Sequence, residues 1–160
     1  MKFGNIRDWE SDAALELEGV PFDIGRERVI TIRRAGGANR DFVVAYAALI
    51  RSILGDRDPA ALDDAAQREL NDELGRRLPP LFADHVVLGW SGFLDETGDP
   101  VRYTKAAFLE LVAAAPDLWT RLRAQADTRE RFQREQIERD KVRISKSSRF
   151  KRNGGSSAHA

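Results

Sequence analysis

Cysteine is absent from this 160-residue chain, histidine occurs only as His85 and His159, and methionine only once. The first absence removes disulfide frameworks, thiolate zinc sites and cysteine nucleophiles. The second leaves too few imidazoles for a multi-histidine metal centre. No apolar run approaches the roughly 20 residues of a membrane helix. The start, Met1 to Asp8, lacks the apolar core of a secretory signal, which predicts a cytoplasmic protein without membrane attachment. Net charge is lacking too, since 26 Lys plus Arg balance 26 Asp plus Glu. What is present, 42% hydrophobic and 32% charged residues, suits one soluble domain of ordinary size.

The neutral total conceals an asymmetry. Lys141, Arg143, Lys146, Arg149, Lys151 and Arg152 fall in the last 20 residues, where no acid occurs, so 20 basic and 26 acidic residues remain in 1–140. An acidic body with a basic end is not the footprint of a nucleic-acid-binding domain, which concentrates positive charge on a folded face. Ser145, Ser147, Ser148, Gly154, Gly155, Ser156 and Ser157 fill out the tail. That composition buries too little apolar area to offset its ordering entropy, so residues 141–160 are expected to be a disordered basic tail and 1–140 the domain.

Within the body, Val20-Pro21-Phe22-Asp23-Ile24 and Val29 to Arg34 are short β-type runs around Gly25, predicting a hairpin over about 20–34 with Pro21 at an edge. Two strands are marginal alone, so the hairpin must pack on helices or on another copy. Helical signals follow. Asn39 is a candidate N-cap before Phe42, Val43, Tyr46, Leu49, Ile50 and Ile53, and Gly55 ends that stripe. Asp58-Pro59 predicts a second start with the thin stripe Leu62, Ala66, Leu70 and Leu74, punctuated by Gly75 and Pro79-Pro80. Phe82, Val86, Val87 and Trp90 then suggest a central helix over 80–90. After the loop Asp95 to Pro100, Thr104 caps a helix bearing Phe108, Leu111, Val112 and Ala115. Pro116 opens another, with Leu118, Trp119, Leu122 and Ala126. Asp127 to Glu130 has capping-box spacing before a mostly charged helix carrying Phe132 and Ile137. The expected fold is mainly α: a small N-terminal β-hairpin followed by a compact bundle of five or six helices.

Catalytic patterns fail on inspection. Gly89-Trp90-Ser91-Gly92-Phe93 lacks the second glycine of a nucleophile elbow and follows an expected helix rather than a strand. Asp95-Glu96-Thr97-Gly98-Asp99 has the composition of a calcium loop but puts glycine fourth rather than sixth, which favours a turn. Gly36-Gly37 precedes no Gly-Lys-Ser/Thr. His85 has no second histidine one turn away, and Asp63-Asp64, being adjacent, do not face each other on a helix. No catalytic residue, metal ligand or cofactor site is expected.

Several segments, in order, resemble the tail assembly chaperones of long-tailed, siphovirus-type bacteriophages. They are Gly19 to Gly25, Ile30 to Ala35, Ala38 to Phe42, Val86 to Gly92, the Asp95, Gly98, Asp99, Pro100, Val101, Tyr103, Thr104 series, and Leu111 through Pro116-Asp117-Leu118-Trp119. The likeness covers about residues 15–140. It departs from the family at 55–78 and in its basic rather than acidic end. The resemblance implies a non-enzymatic protein that coats the tape measure protein, a long apolar helical chain, and keeps it soluble in the host cytoplasm. It also implies a frameshifted longer form that recruits tail tube subunits, and absence from the mature virion. Together with the aromatic clustering it predicts a protein-binding groove lined by some of Trp90, Phe93, Phe108, Leu111, Leu118, Trp119 and Leu122, and self-association, including through the hairpin edge. Two other readings stand beside it: a structural or adaptor protein of the virion tail or connector, and an accessory protein whose basic tail binds nucleic acid.

Overall fold

A computed structural model describes residues 11–133 of the chain. It opens on a helix with no counterpart among the expected elements. The Asp12 carboxylate accepts from the amides of Ala14 (2.9 Å) and Leu15 (3.4 Å) and so caps α1, Ala13–Glu18. Gly19, at φ 87°, ends it and feeds the chain into β1, Val20–Gly25. The hairpin forms as expected with β2, Arg28–Ile32. Its two-residue turn puts Arg26 (φ 54°) and Glu27 (φ 62°) in the left-handed region, the geometry that matches strand twist but favours Asn-Gly. Pro21 lies on the outer strand, where its missing N–H costs no ladder bond, and its carbonyl accepts from Arg131 Nη2 at 3.4 Å.

A third strand completes the sheet and corrects the expectation for 80–90. The helix there is the end of a long α3, Asp64–His85, and Val87–Ser91 is β3, paired antiparallel with β2 in the order β1-β2-β3. Val86 and Val87 read equally well as helical stripe and as β-branched strand. Pairing Ile30 with Trp90 and Thr31 with Gly89 decides between them. The hairpin therefore finds its missing partner within the same chain. Inward-facing Val20, Phe22, Ile30, Ile32 and Val87 are all buried against the helices.

The helical half follows its caps. Asn39 caps α2, Arg40–Leu54, with Gly55 after it. Asp58-Pro59 starts only a 3-10 turn, Pro59–Ala61. The helix begins five residues later, where Asp63 accepts from the Ala66 amide at 2.8 Å. It then runs through Gly75, Pro79 and Pro80 rather than breaking there. Thr104 caps α4, Lys105–Ala114, and Pro116 opens α5, Pro116–Asp127, as their sequences predict. The capping box at 127–130 does not form. Those residues give a 3-10 turn, Arg129–Phe132, without a side-chain cap, which carries Phe132 into the core. The described residues thus hold five α-helices and one three-stranded sheet. The expected helix beyond 133 and the tail at 141–160 lie outside them.

One buried polar side chain ties these layers together. Asn39 Nδ2 donates to the carbonyls of Arg34 and His85, each at 2.9 Å, while its Oδ1 caps α2. Two stability measurements test this account. Aspartate is as good an N-cap as asparagine, so Asn39→Asp isolates the two donated bonds. Leaving two carbonyls facing a carboxylate is expected to cost about 2 kcal/mol in urea unfolding. An unchanged midpoint would show that Asn39 is only a cap. At the hairpin, Arg26→Asn/Glu27→Gly is expected to stabilise by about 1 kcal/mol by relieving two left-handed residues. Gly92→Ala is expected to destabilise, because its Cβ would run into the Glu27 carbonyl and its φ is positive.

Candidate functional site: a groove between two helices

Eight aromatic residues form a continuous ladder. Phe93 packs on Trp90 (centroids 4.7 Å), Trp90 edge-on to Tyr103 (5.2 Å), Tyr103 beside Phe108 (6.4 Å) and Phe108 edge-on to Trp119 (6.4 Å). The line continues from Trp119 to Phe82 (4.9 Å), Phe42 (5.6 Å) and Tyr46 (5.7 Å). Edge-to-face pairs of this kind add to the burial energy of each ring. The Trp90 indole donates to the Val101 carbonyl at 2.7 Å and the Tyr103 hydroxyl to the Ala83 carbonyl at 3.0 Å, pinning the 92–103 loop over the sheet. Burial, and then the Asp84 carboxylate, raise the Tyr103 pKa.

The expected site residues sit mostly inside this ladder. Phe108 and Leu122 are wholly buried in the core of the described domain. Trp90, Phe93, Leu118 and Trp119 are half-buried and packed on that core, and Leu111 is half-buried on α4. The open apolar surface lies elsewhere. α2 packs along α3, and α5 meets α3 through Trp119 on Phe82, leaving a groove of about 600 Å3 between α2 and α5. Phe42, Val43, Tyr46 and Ala47 form one wall, Leu78 and Phe82 the floor, and Thr120, Arg123, Ala124 and Asp127 the other wall. Ala35 and Gly36 close one end. Trp119 stands one ring behind Phe82, with the Arg123 guanidinium over its face at 5.7 Å. None of the seven expected residues lines this groove. The sequence signal for it was the α2 stripe, which holds more apolar side chains than the helix buries. Tyr46 stays 37% exposed and Val43 is half-buried, while Phe42, Leu49 and Leu54 are buried.

Beside the closed end lies a charged pair that sequence inspection did not single out. Glu16, 2% exposed, accepts from the Ser11 hydroxyl, the Ala38 amide and the Arg34 guanidinium. Arg34 Nη1 also donates to Ser11 Oγ at 2.9 Å. Gly37 is required here, since a Cβ on it would run into the Glu16 carboxylate. Burial pushes the Glu16 pKa up, but the Ser11, Ala38 and Arg34 bonds outweigh it and hold the carboxyl below its ordinary value.

The other chemical candidates resolve into structural parts. Asp95 accepts from the Thr97 hydroxyl (2.6 Å) and the Asp99 and Thr97 amides (3.0 and 2.9 Å), which lower its pKa and close the turn on itself. Ser91 does end a strand, contrary to expectation, yet no helix follows until Lys105, so the elbow geometry is still missing. Among the described residues no cluster of His, Asp or Glu could hold a metal ion, and no helix is long and apolar enough to cross a membrane.

Residues 39–142, well over half of the chain, match the family model described as YdaY prophage protein. The chain belongs to that family. It is therefore a phage-derived protein, and the matched stretch contains both walls and the floor of the groove. No curated protein and no solved structure matches it.

The Glu16 site has a pH signature. A carboxyl whose folded pKa is depressed contributes stability that is present above its unfolded value, near 4.5, and lost as pH falls through the folded value. Glu16→Gln is expected to cost about 2 kcal/mol at pH 7, because Arg34 keeps its charge beside a neutral partner. The gap between the two proteins should narrow on acidification below pH 4.5. A gap constant from pH 7 to pH 3 in urea titrations would contradict the assigned ionisation.

Proposed function

We propose that this YdaY-family chain is a non-enzymatic tail assembly chaperone. It binds the tape measure protein, keeps that apolar helical chain soluble in the host cytoplasm, and helps recruit tail tube subunits before leaving the finished particle. The groove between α2 and α5 carries the reading. Its apolar floor and its Arg123 and Asp127 rim fit the seating of an amphipathic helix, whose apolar stripe enters while its polar flanks meet the rim. Phage origin supports it, as does the resemblance to tail assembly chaperones carried by several segments, above all Trp90-Ser91-Gly92 through Tyr103-Thr104 and Pro116-Asp117-Leu118-Trp119. The physical task also suits the composition. A tape measure exposes far more apolar surface than a soluble protein tolerates. Many copies of a body with six more acids than bases in 1–140 would give the complex a solubilising charge.

Co-expression with the tape measure protein, followed by size exclusion with light scattering, tests this. The partner is expected to precipitate alone and to co-elute with this chain in a large complex. Ala47→Glu, which buries a carboxylate against a docked helix, is expected to lower the soluble partner roughly tenfold. Val44→Glu, at a position 66% exposed and outside the groove, should have no effect. A tape measure that is soluble unaided, or rescued equally by Ala47→Glu, would overturn the proposal.

A further inference from the structure

The groove carries two charges, and the fold fixes their order along it. Of its lining residues only Arg123 and Asp127 are charged, and both stand on α5. The Ala35 amide donates to the Ala126 carbonyl at 2.9 Å, so Asp127, the last residue of α5, lies at the closed end. Arg123 stands one turn back, roughly 6 Å away from that end. Both residues are exposed, and among the described residues neither takes part in an ion pair. Arg123 lies over the Trp119 ring instead.

Asp127 is poorly placed for α5 itself. A helix C-terminus is the negative end of the dipole and favours a cation, yet the last turn of α5 has none. The carbonyls there are already taken. That of Ala124 accepts from the Thr128 amide (3.1 Å) and hydroxyl (2.6 Å), and that of Ala126 from Ala35. The closed end thus sets beside an apolar cavity a negative charge that α5 does not compensate. The positive end of an incoming helix, with its four unbonded amides, satisfies that charge. A helix entering in this sense runs against the direction of α5, and its second turn comes level with Arg123. We propose that the groove orients its helix by charge: the partner's N-terminus sits at Asp127, and an acid about one turn further on, beside the apolar stripe, pairs with Arg123. The proposal rests on the reading that the groove seats a tape measure helix, and it specifies which helices dock and in which direction.

Designed peptides test this on the full chain. The probe is an acetylated, amidated peptide of about 18 residues, long enough to be helical in water. It carries a stripe of leucine and alanine and its one glutamate in the second turn, and a second peptide has lysine there. Fluorescence anisotropy is expected to give the glutamate peptide a Kd roughly tenfold lower, with the ratio shrinking as salt rises. Arg123→Glu should reverse the preference. Asp127→Asn is expected to weaken binding of the glutamate peptide while leaving the urea midpoint of the free protein unchanged or higher, which loss of a merely structural acid would not do. Direction is read by disulfide formation. The chain has no cysteine, so Ala35→Cys offers a single thiol at the closed end. A cysteine at the peptide's N-terminus is expected to be trapped there several times faster than one at its C-terminus. Equal affinity for the two peptides, equal trapping from either end, or binding of neither peptide would overturn the inference. Oriented binding together with failed tape measure co-expression would sink only the chaperone reading. Binding blind to charge, with a tape measure rescue that Ala47→Glu abolishes, would sink only this one.

Discussion

Arg34 and Asn39 join parts of the chain that nothing else in the sequence obliges to meet. The backbone from Arg33 to Asn39 leaves the sheet and crosses the ends of three helices. The Arg33 amide donates to the Val86 carbonyl (2.7 Å), that of Arg34 to Glu16 (3.2 Å) and that of Ala35 to Ala126 (2.9 Å). Such a crossing segment has no ladder or helix to satisfy its polar groups, so each must find a partner on a neighbouring element. Asn39 completes the set by bridging the β2 exit, the α3 C-terminus and the α2 N-terminus with one side chain. Glu16 then fixes the loop from the other side. Its burial is tolerable only because a hydroxyl, an amide and a guanidinium all point at it.

That junction sets the shape of the groove. The start of α2 is held at Asn39 and the end of α5 at Ala126, and Ala35 and Gly36 close the groove between them. α3 passes beneath both and supplies Leu78 and Phe82 as floor. Its passage through Pro79 and Pro80 leaves the Gly75 and Arg76 carbonyls without their usual donors. The helix persists because Leu78, Phe82 and Ala83 lie on one buried face, and packing of that face outweighs the loss.

What could be read from the sequence was whatever is decided locally. Asn39, Thr104 and Pro116 mark true helix starts, because a cap acts on the next three amides and needs no tertiary partner. The hairpin was equally legible, from Val29-Ile30-Thr31-Ile32 and Gly25. Decisions made at long range were not. Val87 to Ser91 carries a helical stripe and a strand equally well, and only pairing with β2, more than 50 residues earlier, selects the strand. Pro79-Pro80 reads as a break until the buried face of α3 is known. Asp12 and the helix-forming run after it were legible in principle, since Asp before Ala13-Ala14-Leu15-Glu16 is an ordinary start signal. The candidate site was the least legible part. Trp90, Phe108 and Trp119 advertise an interface by type, yet the ladder uses them for cohesion. The groove instead brings Phe42, Val43 and Tyr46 of the α2 stripe together with Leu78, Phe82 and the small residues Ala47 and Ala124, an assembly of three helices that no single stripe announces.

The extent of the family match separates two layers within this molecule. Residues 39–142 take in α2, α3, β3, α4 and α5, and with them the walls and floor of the groove. Ser11, Glu16, Arg34 and the loop closing the groove's end precede that stretch, as do both strands of the hairpin. The walls and floor of the groove thus belong wholly to the matched part, and its closed end does not. What stands at its end is set by the preceding residues through Glu16 and Arg34. The charge pair that anchors the loop therefore shapes the closed end of the groove from outside the matched stretch.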